Sequence, residues 1–410
     1  MTFHNREELD DKRKTIGLLI DSLAGGGAEK VVSILSTELI KQYEVHVILL
    51  TCEDIKYPYA GKLSCLNFNY YKGERFLLAY VLKRVSMLKC ILRLNRMIRD
   101  YSIDTTISFL PYTNVINSLS NSKNKIVTIH GHPINSASDK LINNSFYRTY
   151  LKVSSLILNR SDLIVSVSDS IRKQLTEELF VDGRKTIVLN NPVDVVRVMD
   201  MAAEPLDPET EKLFSGKTII NVASLKPNKN QEALLRIFEK VNQEVDDVNL
   251  VLVGEGPNET RLKYLVNEMG LANKVHFLGF RENPFNLMHN STIFCMTSLS
   301  EGFGNVIIES MTCNTPVISS DCGGPREILS NDYGPRTRTE FATYGIIIPI
   351  VIIDGERHVQ EDEFAEVLIR ALTDKTLLDN YRNVVKDRSN DFDLGVTIAK
   401  WYEIIEHRLC

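Results

Sequence analysis

The sequence predicts an α/β protein of two doubly wound, Rossmann-like domains with a cleft between them, and three observations predict it. Short apolar runs alternate with amphipathic helical stretches in both halves, the pattern of parallel strands joined by helical crossovers. Glycine-rich turns follow several of those runs, at the strand ends where such sheets place ligands. The chain has 410 residues, more than one hydrophobic core usually serves. Its hydrophobic content of 43% and charged content of 25% are ordinary for a globular protein, and a formal net charge of −5 argues against general nucleic-acid binding. The 7 cysteines are odd in number and scattered without a C-x-x-C pair. Neither a disulfide framework nor a zinc site is indicated, and a reducing cytoplasm fits.

Residues 1–14 are crowded with charge and have no apolar core, so they read as a flexible tail and not as a signal peptide. No stretch reaches the roughly 18–20 apolar residues of a spanning helix. The longest apolar run, Gly345 to Ile353, is broken by Pro349 and reads as a buried strand with its exit.

A first domain is expected over 15–200. Thr15 to Asp21 is a buried strand, Gly25-Gly26-Gly27 forms the turn, and an amphipathic helix carries Val31, Val32, Leu35 and Leu39 before a strand from Glu44 to Leu50. Three consecutive glycines do not meet the G-x-G-x-x-G dinucleotide fingerprint. The turn reads equally as a flexible connection or as a loop facing a ligand. From Lys72 to Arg99, Lys72, Arg75, Lys83, Arg84, Lys89, Arg93, Arg96 and Arg99 interleave with apolar residues, opposed only by Glu74. Two readings stand: a core-facing helix with a solvated basic face, or a basic amphipathic helix on an anionic membrane surface. Strands follow at Thr105 to Leu110 and at Lys125 to His130, so His130 lies where a strand ends, with His132 a weaker candidate of the same kind. Pro133 to Arg160 reads as loop plus helix above the cleft. Leu163 to Ser168 and Lys185 to Asn191 are the remaining strands.

A linker at 201–215, with Pro205, Pro208 and several acids, leads to a second domain at 216–390. Thr218 to Ser224 is a strand, and Leu225-Lys226-Pro227-Asn228-Lys229-Asn230 leads into a helix. Strands at Asn249 to Gly254, Val275 to Gly279 and Ile293 to Met296 bring the chain to Ser298-Leu-Ser-Glu301-Gly302-Phe303-Gly304-Asn305. Here an apolar run stops at small polar residues and a glutamate. Two glycines flank Phe303, a helix starts at Asn305, and Pro316-Val317-Ile318 opens a new strand. A glycine turn at a helix start offers unpaired N–H groups and the positive end of the dipole to an anion. At about 100° per residue, Asn305, Glu309, Thr312 and Cys313 share one flank, while Phe303, Ile307, Ser310 and Met311 face another way. A pocket there suits a nucleotide sugar: amides for the diphosphate, one glutamate for the ribose hydroxyls, the other for the transferred sugar. Asn331 to Tyr344 reads as an inserted loop after the Gly323-Gly324 turn. Asp391-Phe-Asp393, the sole D-x-D, reads as a helix cap and not as a metal site. A last helix with Trp401 and Tyr402 occupies 391–410.

Glu301 and Glu309, spaced eight residues apart around Gly-Phe-Gly-Asn with Pro-Val-Ile behind, resemble the signature of glycosyltransferase family 4, a family of retaining enzymes. The resemblance implies a GT-B fold, the acceptor bound by the N-terminal domain, the nucleotide sugar by the C-terminal one, and the final helix returning to the N-terminal domain. It implies catalysis without a metal or cofactor. Lys229 matches the lysine of the family's R-L-x-x-x-K pattern and is expected on the diphosphate. Ser224 stands where an arginine is common, with Lys226 or Arg281 as substitutes. His130 is expected on the donor sugar or the acceptor. Glu301, His130 and Lys229 are therefore the expected catalytic residues. Gly25, Gly26, Gly27, Ser224, Lys226, Lys229, Gly302, Phe303, Gly304, Asn305 and Glu309 are the expected donor-binding set. The expected activity moves a hexose or N-acetylhexosamine, from a UDP-sugar in preference, to a saccharide acceptor, lipid-linked, in cell-surface polysaccharide biosynthesis. The expected location is the cytoplasm, with peripheral contact to an anionic membrane through 72–99. A nucleotide-sugar epimerase and a catalytically silent nucleotide-sugar-binding partner are the alternatives. An NAD-dependent enzyme is disfavoured, since neither half carries the fingerprint.

Overall fold

A computed structural model describes residues 13–53, 55–70, 76–133, 145–330, 337–354 and 357–407. Most of the expected tail, the Lys72–Arg75 end of the basic stretch, residues 134–144 of the segment expected above the cleft and 331–336 of the expected inserted loop lie outside the described residues.

Two seven-stranded sheets organise the chain. The first contains β1 (Thr15–Ile20), β2 (Glu44–Leu49), β3 (Lys62–Cys65), β4 (Thr105–Phe109), β5 (Asn124–Ile129), β6 (Leu163–Ser166) and β7 (Thr186–Val188). Their order is β3-β2-β1-β4-β5-β6-β7, and every pairing is parallel. The second contains β8 (Lys217–Val222), β9 (Val248–Val253), β10 (Val275–Gly279), β11 (Ile293–Met296), β12 (Val317–Ser320), β13 (Glu340–Ala342) and β14 (Gly345–Ile348). It runs β10-β9-β8-β11-β12-β14-β13, with β13 alone antiparallel. Central strands such as β1 are buried along their whole length, as the unbroken apolar runs require of strands covered on both faces. In each sheet the strand order reverses beside the first strand, so a crevice opens beyond the ends of β1 and β4 in one sheet and of β8 and β11 in the other.

Three local readings change. β3, a short, half-exposed edge strand of mixed polarity, carries no alternation that would announce it. The stretch expected as an inserted loop contains β13, which pairs with β14. The apolar run from Gly345 stops as a strand at Ile348, and Ile352–Asp354 pairs instead with Arg357–Val359 as a separate hairpin.

The helices that position the cleft are α1 (Gly27–Leu39), α2 (Phe76–Asp100), α3 (Pro111–Ser118), α4 (Ser145–Leu158), α5 (Asp169–Lys173), α6 (Val195–Ala202), α7 (Pro208–Glu211), α8 (Gln231–Glu244), α9 (Glu259–Glu268), α10 (Phe285–His289), α11 (Asn305–Thr312), α12 (Gly324–Leu329), α13 (Glu361–Thr373), α14 (Lys375–Asn390) and α15 (Leu394–His407). α15 packs on the first domain: Ile398, Trp401, Ile404 and Ile405 join the core of β1 and α1, and Tyr402 Oη donates to the Glu38 carbonyl at 3.0 Å. The chain therefore crosses between the domains twice, and the crossings touch where Val193 N–H donates to Phe392 O at 3.2 Å and Leu394 N–H to Val193 O at 2.9 Å. One buried apolar cluster continues across the interface, from Ile171 and Val193 to Phe303 and Ile328.

α2 buries Ser86, Cys90, Leu94 and Ile98 on one face. Val81, Val85, Leu88 and Leu92, spaced i, i+4, i+7 and i+11, form a second apolar stripe that is exposed, Leu92 at 70%. Among the described residues, no helix is long and apolar enough to cross a membrane.

Candidate functional site

On the C-terminal side, the chain leaves β8 through Ser224 and the exposed Lys226 into a single 3-10 turn, Pro227–Lys229. Asn230 takes a left-handed conformation (φ 53°) that redirects the backbone into α8, a region an asparagine tolerates better than most residues. Two bonds fasten this turn to the loop after β11: Leu299 N–H donates to Asn228 O at 2.9 Å, and Thr297 Oγ1 donates to Asn230 O at 3.0 Å. The result sets Lys229 Nζ 2.5 Å from Glu301 Oε1, while Ser298 Oγ donates to the same oxygen at 2.8 Å. Glu301 is fixed by a cation and a hydroxyl before any ligand arrives.

The glycines of this loop serve different ends. Gly304, with φ +104°, precedes α11 in a conformation costly to any residue with a Cβ, and no side chain caps the helix start. Gly302 serves close approach: a Cβ there would lie 2.0 Å from the carbonyl oxygen of His130, in the other domain. Phe303, buried between them, meets Phe392 edge-on at 5.6 Å and anchors the turn. α11 is buried on nearly all sides and not on one flank alone, because both lobes and the crossing chain pack around it.

Four contacts bring the N-terminal lobe onto this loop. Lys30, on the first turns of α1 just past Gly25-Gly26-Gly27, reaches across so that its Nζ lies 2.6 Å from Glu309 Oε1 and 5.2 Å from the Phe285 ring centroid. Burial pulls the Lys30 ammonium down, but the Glu309 carboxylate more than reverses this and leaves its pKa raised. Asn191 Nδ2 donates to Asn305 Oδ1 at 3.0 Å. Glu327 of α12 accepts from Asp169 N–H at 2.8 Å and Ser170 N–H at 2.7 Å, so one domain supplies the carboxylate for a helix start in the other. The imidazole of His132 abuts the Gly323 turn, where a Cβ on Gly323 would sit 2.4 Å from its Nε2.

Of the expected residues, Glu301, Lys229 and Gly302 to Asn305 thus form one constellation, and Glu309 holds a partner from the opposite lobe. His130 meets the loop through its carbonyl. Its ring turns inward to Thr128 Oγ1 at 2.9 Å and to the Phe109 ring, and burial pushes its pKa down to about 4. Burial also lowers the pKa of His132, against Gln174 and Glu301, which pull it up. Ser224 is half-buried at the cleft edge, and its carbonyl accepts from Gln231 Nε2 at 3.2 Å. The charge of Lys226 favours the ionised carboxylate of Glu29, just past the Gly25–Gly27 turn, and that of Arg281 does the same for Asp207 at the linker.

The residues that sequence reasoning missed are Lys30, Glu327 and Asp21. Asp21 ends β1 on the cleft edge, accepts from Tyr70 Oη at 3.3 Å and leaves Oδ1 without a partner. Burial raises its pKa to about 6; the Tyr70 hydroxyl opposes the rise, the nearby Glu29 charge adds to it, and the Thr113 N–H opposes it. Phe68, Tyr70 and Tyr112 form an aromatic group beside it, with Lys83 4.5 Å over the Tyr112 ring. No group of three or more metal-ligating side chains occurs among the described residues.

The chain is similar to known proteins. Residues 25–197 match the sequence model of Glycosyltransferase Family 4, and residues 206–388 match that of Glycosyl transferases group 1. An uncharacterized glycosyltransferase of Methanocaldococcus jannaschii is 28% identical over 74% of this chain and 77% of its own length. The N-acetylgalactosamine-N,N'-diacetylbacillosaminyl-diphospho-undecaprenol 4-alpha-N-acetylgalactosaminyltransferase of Campylobacter jejuni is 27% identical over 94% of this chain and 97% of its own. Among solved structures, Anabaena HepE in complex with UDP and glucose superposes with a TM-score of 0.71 at 19% identity, covering 96% of this chain and 99% of that one. WaaG, a glycosyltransferase of lipopolysaccharide biosynthesis, gives 0.69 at 15% identity, covering 96% and 100%. The two-domain architecture is that of GT-B glycosyltransferases.

Proposed function

The chain belongs to the glycosyltransferases, a family 4 domain followed by a group 1 domain, and we propose that it transfers a hexose or N-acetylhexosamine from a UDP-sugar to a lipid-linked saccharide, with retention and without a metal. The observation that carries this reading is the Lys229–Glu301 pair beside the uncapped Gly304–Asn305 helix start, closed over by the opposite lobe. A departing nucleoside diphosphate needs fixed positive charge. A lysine ammonium and a row of helix amides at one turn supply it. On arrival of the donor, Lys229 exchanges the carboxylate for diphosphate oxygens. Glu301 is then free to accept from the hydroxyls of the transferred sugar, and Glu309 takes those of the ribose. The acceptor hydroxyl attacks from the face of the leaving group, and the departing phosphate oxygen takes its proton. The C-terminal domain, 216–390, is the donor domain in this reading, and the N-terminal domain, 15–200, is the acceptor domain.

The lipid-linked acceptor is supported by the Campylobacter relative, whose name carries a diphospho-undecaprenol substrate, and by α2. The exposed stripe of Val81, Val85, Leu88 and Leu92, with Arg84, Lys89 and Arg96 exposed around it, suits a peripheral contact with an anionic bilayer. The test is product formation from UDP-, GDP- and ADP-sugars on lipid extracts. The configuration of the new anomeric centre is read by NMR, and turnover is repeated in a chelator. Binding without turnover across a broad acceptor panel would instead select the silent partner, the reading that Ser224 motivates. Leu88→Ser with Leu92→Ser is expected to abolish co-sedimentation with anionic vesicles while sparing turnover on a short, water-soluble acceptor. Unchanged sedimentation removes the membrane part.

A further inference from the structure

Two lysines neutralise the two motif glutamates, and they arrive from different lobes. Among the described residues, Lys229 pairs with Glu301 and Lys30 with Glu309. The donor site as expected from the sequence lacks a cation at Ser224; of the two substitutes, Lys226 is exposed and its charge acts on Glu29 of the N-terminal lobe, while that of Arg281 acts on Asp207 at the linker. Lys30 stands elsewhere on the same site. It follows the Gly25–Gly27 turn by one helical turn, its ammonium touches the buried carboxylate expected to hold the ribose, and its side chain keeps 34% of its surface exposed. That exposure leaves the four-carbon stem room to swing. A ribose binding Glu309 would displace the ammonium from its ion-pair partner among the described residues. The pyrophosphate hangs from the same ribose by one methylene, so it is the nearest anion the displaced ammonium could meet.

We propose, building on the transferase reading above, that Lys30 is a donor-binding residue lent by the N-terminal lobe: it covers Glu309 in the empty cleft and moves to the pyrophosphate when a nucleotide enters, providing the second cation that position 224 does not.

Calorimetry on the full chain separates this from other roles. The probes are UDP, GDP or ADP, whichever the unaltered protein binds, each against its own nucleoside. Lys30→Met is expected to weaken the nucleoside diphosphate ten-fold or more while the nucleoside binds as before or better, since Glu309 is uncovered. Equal strengthening of both ligands would mean that Lys30 only covers Glu309. Equal weakening would mean that it only props the carboxylate, and no change would mean that it takes no part; each of these overturns the proposal. Lys30→Met leaves a buried carboxylate unpaired, so the same selective loss is also read in Lys30→Met with Glu309→Gln, relative to Glu309→Gln alone. If the unaltered protein binds none of the three diphosphates, it is the transferase reading that fails.

Discussion

Glu301 and Glu309 lie eight residues apart on one loop and helix, each bonded to a lysine, yet the two pairs are built differently. Glu301 takes its lysine from the same domain, through a turn pinned by main-chain and threonine bonds, and has Ser298 as a second donor. Glu309 takes its lysine from the other domain, across 279 residues of sequence. The first pair survives any movement of the lobes, whereas the second exists only while they are together. One carboxylate is thus held from within its own domain, and the other from across the cleft.

Substitution at the two glutamates should break this comparison most sharply. Glu301→Ala is expected to lower kcat by about 10²–10³, the cost of losing one fixed group at a site of developing charge, and Lys229→Ala should match it. Glu309→Ala should instead raise the donor KM, by about 10–100-fold for a lost bond to a charged group, with kcat nearly kept. Steady-state kinetics distinguish them, and equal effects on kcat would erase the proposed division of labour. Gly302→Ala comes next. Its Cβ would overlap the His130 carbonyl oxygen, so the lobes cannot seat and turnover should fall about 10²-fold through misplacement alone. Small-angle scattering should show a more open particle, with the melting temperature of each lobe little changed.

The smallest expected effect lies on the N-terminal side alone. Asp21 keeps its proton in the folded state to about pH 6, whereas an ordinary aspartate releases it near 3.8. Between those values the folded chain binds the extra proton, so stability from this group is present below the window and is lost as pH rises through it. Asp21→Asn should therefore stabilise by about 1–3 kcal/mol at pH 8 and by almost nothing at pH 4. Tyr70, Glu29 and the Thr113 N–H are the groups that face it. Denaturant curves at the two pH values measure the difference, and equal shifts at both would discard the assignment.

How much was legible follows from the range of each signal. The Glu301 loop was readable because one string of residues carries the strand end, the glycine turn and the helix start together. Lys229 was readable only through its match to the R-L-x-x-x-K pattern of the family the chain resembles. Lys30 was not, since a lysine early in a helix looks like any solvated lysine until the second lobe is present. The sequence put His130 at a strand end but could not aim its ring. Side chains two apart share a face of an extended chain, so the imidazole follows Thr128 inward, whereas His132 lies past the end of β5 at Ile129 and meets the glycine turn. In α2 the mixture of basic and apolar residues was visible, but which apolar residues face outward depended on where α3 and β2 lie.

The meeting of Gly302 with the His130 carbonyl has a mechanical consequence. Where lobes stop against each other through side chains, the resting aperture drifts whenever those side chains are exchanged. Here two stretches of bare main chain meet at one point of the stop, beside side-chain contacts such as Lys30 with Glu309, so at that point the spacing of the lobes is set by peptide geometry and exchanging neighbouring side chains does not alter it.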